Sequence, residues 1–318
     1  MLEKILVYLI EDIGFDNKQI FIRRVDKMNI TEVGQGKVVL LAGGGKVFTD
    51  IAARFVGSNR SLEDIVGSEY NKNIVKRILE SGHLAATEFD YFVFGVEGYS
   101  RVTETQLVRK RHAAYCIKSG RSEKGGKREF DIVLPKNIKE SNMIVTKTIE
   151  DINTGERHNI DITVNDLLSL IETFYNKGIK EGLPEEDLRY LKPQATEFKG
   201  LIGMNAHALI DFFNVRCCER AQAEIRDMAW KMLKLCKKAS PDLFKNAGPK
   251  CFNMLYCPEN EFMPEVCKRK GIPTKNETIE MLLKNDKTVI YNAGDRIKKT
   301  DVVSGGLGDT MSFEGIGE

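Results

Sequence analysis

The stretch Arg109-Lys110-Arg111-His112-Ala113-Ala114-Tyr115-Cys116-Ile117-Lys118-Ser119-Gly120-Arg121 is where the reading of this chain turns. Guanidinium and ammonium groups flank a Ser-Gly pair. Arginine forks match phosphate oxygens two at a time. A glycine between Ser119 and Arg121 lets backbone come close to a ligand. An anionic nucleotide is one occupant that suits this pattern. The other reading is a solvated basic face, extended into an RNA-contacting patch by Lys124, Lys127 and Arg128.

The bulk composition narrows the field. Forty-eight basic residues against 46 acidic ones leave a formal charge of +2. A nucleic-acid binder needs a clearer basic excess than that. With 42% hydrophobic and 30% charged residues over 318 positions, the chain reads as globular with a sizeable core. It has no run of about 20 apolar residues that could span a bilayer. Residues 1–10 are apolar but short, and Glu11 and Asp12 follow without a small-residue cleavage site. They read as a buried strand rather than a signal peptide. Seven cysteines, an odd number, suit free thiols in a reducing cytoplasm.

Outward from the basic stretch, residues 1–36 read as an N-terminal extension, residues 37–250 as a core and residues 251–318 as a C-terminal extension. Alternating apolar positions mark residues 19–25, and residues 37–41 read as a short buried strand ending at three glycines. Thr49 or Asp50 is placed to cap a helix that follows. A second helix is expected over 71–79, closing near Gly82. Residues 89–96 are β-like, 102–116 helical, and 128–134 a strand stopped by Pro135. An amphipathic helix over 166–180 would bury Leu167, Leu170, Ile171 and Phe174. Pro184 suits the first position of another helix. Residues 205–238 make one or two long helices, and Gly-rich residues 304–308 read as a loose end.

The basic stretch resembles the signature of flavin-dependent thymidylate synthases: Arg-His-Arg, seven residues, then Ser-Gly-Arg. Arg109, Arg111, Ser119, Gly120 and Arg121 keep the register, and Lys110 stands for the central His. Three more blocks occur in the family's order. Ser81-Gly82-His83 with Glu88 is similar to its Gly-His…Glu stretch. Leu188-Arg189-Tyr190-Leu191-Lys192-Pro193 is similar to its Arg-x-x-x-Pro element. Met204-Asn205-Ala206-His207 through Phe212, Phe213 and Arg216, continuing to Glu219-Arg220-Ala221-Gln222-Ala223-Glu224-Ile225-Arg226, resembles its Asn-Ala-Arg…Arg-Ala-Gln region.

The resemblance implies an α+β fold, a mixed subunit whose antiparallel-containing sheet packs with long helices. It implies a homotetramer with sites at subunit interfaces, and C5 methylation of dUMP to dTMP. FAD is the implied cofactor, with NADPH as reductant and methylene-tetrahydrofolate as carbon donor. The cofactor would carry the hard chemistry and the protein the positioning. Ser119, Gly120 and Arg121 would hold the pyrimidine nucleotide, with Gln106 at the uracil. Arg109 would lie between nucleotide and flavin, and with Ser119 carry the catalytic role. Arg189 and Arg216 would add positive charge at the phosphate. His83, Glu88, Arg111 and Asn205 would line the flavin and folate entry, with Lys110, His207 and Asp211 at flavin-adjacent positions. Taken alone, His83 is also an ordinary hydrogen-bonded loop residue and Asn205 a helix cap. Gln222 and Glu224 read as helix packing and salt bridges.

Four positions depart from the pattern. Lys110 stands for His, Ile117 for Glu, His207 for Arg and Asp211 for an amide-type residue. With imidazole neutral, the first two each add a positive charge and the last two each remove one. Lys110 and Asp211 are therefore expected near one another, and His207, four residues before Asp211, could hydrogen-bond to it. A changed acceptor, a different C5 substituent such as hydroxymethyl, or a catalytically silent nucleotide- or RNA-binding module are the alternatives.

Other motifs carry less. Gly43-Gly44-Gly45-Lys46 has the wrong glycine spacing for a phosphate loop, and Val47 stands where Ser or Thr is needed. No Gly-x-Gly-x-x-Gly follows a strand, so a Rossmann dehydrogenase has no support. Cys251, Cys257 and Cys267 could ligate zinc, but a structural site wants four ligands, and the sequence shows no fourth nearby. The expectation is no metal.

Overall fold

A computed structural model describes residues 29–44, 47–119, 130–150 and 154–284. The expected strands at 1–10 and 19–25, the loose end at 304–308, and Gly120 with Arg121 lie outside the described residues. In chain order the strands are β1 (Asn29–Glu32), β2 (Lys37–Ala42), β3 (Tyr91–Ser100), β4 (Ala113–Ile117), β5 (Asp131–Leu134), β6 (Ile144–Glu150), β7 (Arg157–Thr163) and β8 (Glu197–Asn205). Helices and an antiparallel sheet are mixed along the chain, the α+β architecture that was expected. Two compact units emerge. One holds the described residues up to Gln35, Gly98–Glu104 and Ile117–Lys199. The other holds Gly36–Glu97, Thr105–Cys116 and the described residues from Gly200 onward.

In the first unit β1 pairs in parallel with β5, Asn29 opposite Asp131 through Glu32 opposite Leu134. An antiparallel ribbon of β6 and β7 leads into the helix Val164–Lys180. That helix starts at a capping box. Thr163 Oγ1 accepts the Asp166 N–H, and Asp166 Oδ2 accepts the Thr163 N–H. Its buried face is Leu168, Glu172, Tyr175 and Gly178. Leu167 and Phe174, expected inside, are exposed. The face is turned by one residue for two reasons. Glu172 is drawn inward because its carboxylate accepts the buried Phe130 N–H at 3.0 Å. Gly178 is inside because Leu188 needs the space: a Cβ there would meet Leu188 Cδ2 at 2.3 Å.

The second unit carries the four-stranded sheet, in order β2-β3-β8-β4, with β2 and β3 antiparallel. Two helices follow β8. Ala206–Arg216 is apolar nearly all round, and Ala223–Ala239 buries Ile225, Met228, Ala229, Met232, Leu233 and Cys236 on one face at helical spacing. Edge-to-face contacts of Phe244 with Phe92 (5.2 Å) and with Phe213 (6.2 Å) lock part of this core.

Two local expectations give way to contacts from further along the chain. Helix Phe48–Gly57 is not capped by Thr49 or Asp50, since Val47 occupies the cap position. Buried Asp90 instead accepts the Phe48 and Thr49 N–H groups at 2.8 and 2.9 Å, and the Thr49 hydroxyl at 2.6 Å. Asp50 binds Arg54 and accepts the Asn71 N–H. The helix expected over 102–116 is only Arg101–Leu107, and residues 113–117 form β4. Tyr115 explains the switch. Its hydroxyl proton is shared between the Leu107 and Lys110 carbonyls at 2.8 and 3.1 Å, tying the end of the helix to β4. Helix Lys72–Ser81, by contrast, starts at Asn71 and ends at Gly82 with φ +74°, close to the expected bounds.

Gly43 and Gly44 adopt positive φ, +121° and +88°. Added Cβ atoms would strike the Phe92 ring at 2.4 Å and Ala239 at 2.9 Å. Close packing at a turn accounts for both glycines without a phosphate ligand.

Candidate functional site

The second unit brings together three sequence blocks that lie far apart along the chain. Residues 106–111 run from the last turn of the helix Arg101–Leu107 past its end, with the Lys110 N–H bonded to the Leu107 carbonyl at 3.0 Å. Lys110 Nζ stands 3.3 Å from Asp211 Oδ2 on the helix Ala206–Arg216. One turn earlier on that helix, His207 Nδ1 is 3.1 Å from Glu88 Oε1, which follows the helix Lys72–Ser81. His207 is therefore engaged with Glu88, not with Asp211 as its spacing suggested. Asn205 caps the helix, its Oδ1 accepting the Ala208 N–H at 2.8 Å, and its amide nitrogen has no partner among the described residues. Both readings of Asn205 thus coexist, because the cap uses only one end of the amide.

Arg216, at the last turn of the same helix, is the electrostatic centre of the group. Its Nη1 donates to Gln106 Oε1 and its Nη2 to the Gln106 carbonyl, both at 3.3 Å. Gln106 Nε2 in turn donates to Gln222 Oε1 at 3.4 Å. Among the described residues no carboxylate reaches Arg216 or Arg109. Burial, and then the neighbouring positive charge of Arg109, pull the Arg216 guanidinium below its ordinary range. Arg216, bonded to a neutral amide and near enough to Arg109 to feel its charge, is a cation that an anion would relieve.

Gln222 was not expected in this network. It caps the helix Ala223–Ala239 with the same Oε1 that accepts from Gln106. The sequence reading assigns Gln222 to helix packing and salt bridges, whereas in the structure it is a helix cap bonded to Gln106. Arg226 secures the turn leading to it, donating to the Glu219 and Ala221 carbonyls at 2.8 and 3.0 Å.

His83 is exposed ahead of the short helical turn Leu84–Phe89, with no capping bond from its side chain. Arg109 and Arg111 are exposed. In the first unit Ser119 is exposed two residues beyond β4, and Arg189 is exposed in the turn Arg189–Leu191. Ile117, where the resemblance has a carboxylate, is the half-buried last residue of β4.

This donor set fits an anionic nucleotide and a large phosphate-bearing cofactor. It offers unneutralised guanidinium groups, an ammonium shared with one exposed carboxylate, and a spare amide nitrogen. A neighbouring imidazole adds a group whose donor role depends on its tautomer.

The family model described as thymidylate synthase complementing protein matches residues 44–242. The flavin-dependent thymidylate synthase of Nitratidesulfovibrio vulgaris is 37% identical over 205 residues, covering 64% of this chain and 78% of that protein. Its counterpart in Pyrococcus furiosus is 36% identical over 217 residues, covering 67% and 83%. Among solved structures, a UMP/dUMP methylase from Streptomyces cacaoi bound with 5-Br dUMP shares the fold. Its TM-score is 0.53 at 17% identity, over 69% of this chain and 96% of that one.

Proposed function

The chain belongs to the thymidylate synthase complementing protein family, an enzyme family of methyltransferases, and on that premise we propose that it methylates dUMP at C5 to give dTMP. Bound FAD, reduced by NADPH, supplies hydride, and methylene-tetrahydrofolate supplies the carbon. The observation that carries the reading is the pair Arg216 and Arg109, cationic and without a carboxylate partner among the described residues.

In this reading, as the family resemblance implies, Ser119, Gly120 and Arg121 hold the pyrimidine nucleotide, Arg109 lies between nucleotide and flavin, and Arg189 and Arg216 add positive charge at the phosphate. Gln106 turns its amide to the uracil edge. Both ends of that amide are engaged within the protein, and the bond to Gln222 at 3.4 Å is the weakest link. The base enters by displacing it, and Arg216 keeps the amide oriented. Lys110, Arg111, Asn205, His207, Asp211, Glu88 and His83 line the cofactor and folate side. The Lys110–Asp211 and His207–Glu88 contacts fix the positions of these side chains before the cofactor arrives, so less ordering is left for binding.

The protein works as a cytoplasmic homotetramer in the same proposal. Exposed Phe48, Phe55, Val56 and Phe89 on two packed segments support assembly, since such apolar surface favours burial. Among the described residues no helix is long and apolar enough to cross a membrane.

The test is one reaction with dUMP, methylene-tetrahydrofolate, NADPH and FAD, followed by mass spectrometry of the nucleotide. Gain of a methyl group with stoichiometric flavin supports the proposal. A hydroxymethyl product would move the reading to a different C5 substituent at the same site. Absence of both flavin and any nucleotide product overturns it.

A further inference from the structure

The helices Ala206–Arg216 and Ala223–Ala239 are joined by a turn, residues 217–222, and the residues at its two ends take hold of one side chain. Arg216, before the turn, donates to Gln106 Oε1 at 3.3 Å. Gln222, closing the turn, accepts from Gln106 Nε2 at 3.4 Å. The polarity of this arrangement is set by the donors and acceptors present. A guanidinium only donates, so the amide oxygen of Gln106 faces Arg216 and the amide nitrogen faces Gln222. Gln222 meets that nitrogen with its oxygen because the same Oε1 accepts the Ile225 N–H at 3.4 Å, capping the second helix.

The turn does not rest on its own bonds alone. Within it the Ala221 N–H reaches the Cys218 carbonyl at 2.9 Å, and Arg226 donates to the Glu219 and Ala221 carbonyls. Residues 251–284 reach back to it from further along the chain. Lys270 Nζ stands 3.9 Å from Glu219 Oε1. Glu259 pairs with Arg220, whose guanidinium lies 5.8 Å from the centre of the Phe262 ring. The segment is seated on the second helix, where the Trp230 and Phe252 ring centres are 6.0 Å apart. Its own fold is held by a small buried cluster of Cys257, Met263 and Ile272, and by the Cys257 N–H donating to the Pro273 carbonyl at 2.8 Å. All of these C-terminal residues lie beyond the family match, which ends at residue 242.

We propose that residues 251–284 brace the nucleotide site: they hold the turn 217–222 through Glu219 and Arg220, and Gln222 acts as a positioning residue that carries this hold to Gln106. The brace rests on the reading above, in which Gln106 meets the uracil edge. In the free protein the amide is held at both ends, so the base exchanges one bond while Gln106 is already aligned. Loosening the brace has two opposed effects. The base no longer has to displace the bond to Gln222, but a neutral contact at 3.4 Å gives it little to gain. Against that, an unheld glutamine must be ordered anew at each binding event, and fixing a side chain with that many rotamers costs more. Ordering wins, and a loosened brace weakens binding of the uracil nucleotide. The flavin side is untouched, because Lys110–Asp211 and His207–Glu88 hold it from earlier turns of the first helix.

The full chain is titrated with FAD, and the FAD-loaded chain is then titrated with dUMP by calorimetry. Gln222→Asn keeps a strong helix cap, but a side chain one carbon shorter cannot span to Gln106. The double variant Glu259→Gln, Lys270→Met removes the charges of the brace at partly exposed positions. Each should weaken dUMP binding about three- to tenfold, the loss of one neutral contact and its ordering. In turnover the KM for dUMP should rise while kcat stays within about twofold, since the change acts on binding and not on the reacting atoms. FAD affinity and the ligand-free urea midpoint should not move. The two variants act at separate positions, so either decides the matter if the other fails to fold. Unmoved dUMP affinity, or equal losses for dUMP and FAD, overturns the brace while leaving the proposed function standing. A wild-type chain that binds FAD but no dUMP overturns the proposed function and the brace with it.

Discussion

Replacing Lys110 and Asp211 by alanine, singly and together, measures whether the ion pair is an energetic unit. Nζ and Oδ2 are 3.3 Å apart, and the two side chains are 22% and 53% exposed. At that separation two unit charges attract by about 1.3 kcal/mol in bulk water. Pairs with one partner this exposed retain about 0.2–1 kcal/mol in double-mutant cycles, because solvent screens them and side-chain ordering opposes them. The expected coupling is therefore about 0.5–1 kcal/mol, well below the cost of breaking a buried pair. Urea denaturation of the wild type, Lys110→Ala, Asp211→Ala and the double variant supplies the cycle. Repeating it at about 1 M salt should abolish most of the coupling, since the screening length falls to about 3 Å. A third set of curves with saturating FAD tests the cofactor's side of the argument. If the side chains also bind flavin, each single variant loses flavin affinity, and the double variant loses less than the sum. Costs that add within about 0.3 kcal/mol at low salt, for both stability and flavin binding, would refute the claim that these residues act together.

Three other outcomes follow from the same contacts. Arg216→Gln should weaken binding of dUMP on the order of tenfold or more, as loss of a charged hydrogen bond does. Calorimetry should show this while the ligand-free urea midpoint does not fall, because the variant removes a half-buried cation from beside Arg109. Asp90→Ala should lower stability by about 1–2 kcal/mol in urea denaturation, since the carboxylate caps Phe48 and Thr49 from inside the fold; an unchanged midpoint would mean the contact is dispensable. Iodoacetamide at pH 8 should alkylate exposed Cys116 while buried Cys217 and Cys236, whose thiols are pushed up by burial, resist until denaturant is added; peptide mass spectrometry reads the order.

The residues legible in the sequence share one property: their signals are local. Asn71 and Gly82 bound a helix because each acts on backbone within a few residues of itself, so their types and positions suffice. The apolar spacing from Ile225 to Cys236 declares a helix face in the same way. What was misread depends on partners brought in by folding. Asp90 displaces Thr49 and Asp50 as the cap of the helix Phe48–Gly57, and nothing within a few residues of that helix announces it. Tyr115 ends the helix early by reaching back to Leu107, which helical periodicity alone does not encode. Glu172 turns its helix by one residue to meet Phe130. Each override is a polar atom satisfying a backbone group exposed elsewhere, and burial makes an unsatisfied group costly enough to outweigh local preference.

The altered charges of the site obey the same logic in reverse. Lys110 and Asp211 were singled out because each departs from a family pattern, one adding a positive charge and the other removing one. Counted along the sequence, the two changes only balance a total. In the folded second unit they stand 3.3 Å apart although 101 positions separate them. A total can balance without any two charges meeting, so the contact is the stronger observation. In the proposed site, paired opposite charges would let a basic wall change composition without leaving a lone carboxylate to repel a phosphate. His207 fits beside it, because its ring turns to Glu88 and leaves Asp211 to Lys110. The rearranged positions thus form two adjoining contacts on one helix, and Arg216, one turn further along, keeps its charge uncommitted to any carboxylate among the described residues. A wall neutralised at one end and cationic at the other has a direction, and under the proposed function it would orient a ligand whose negative charge is concentrated at one end.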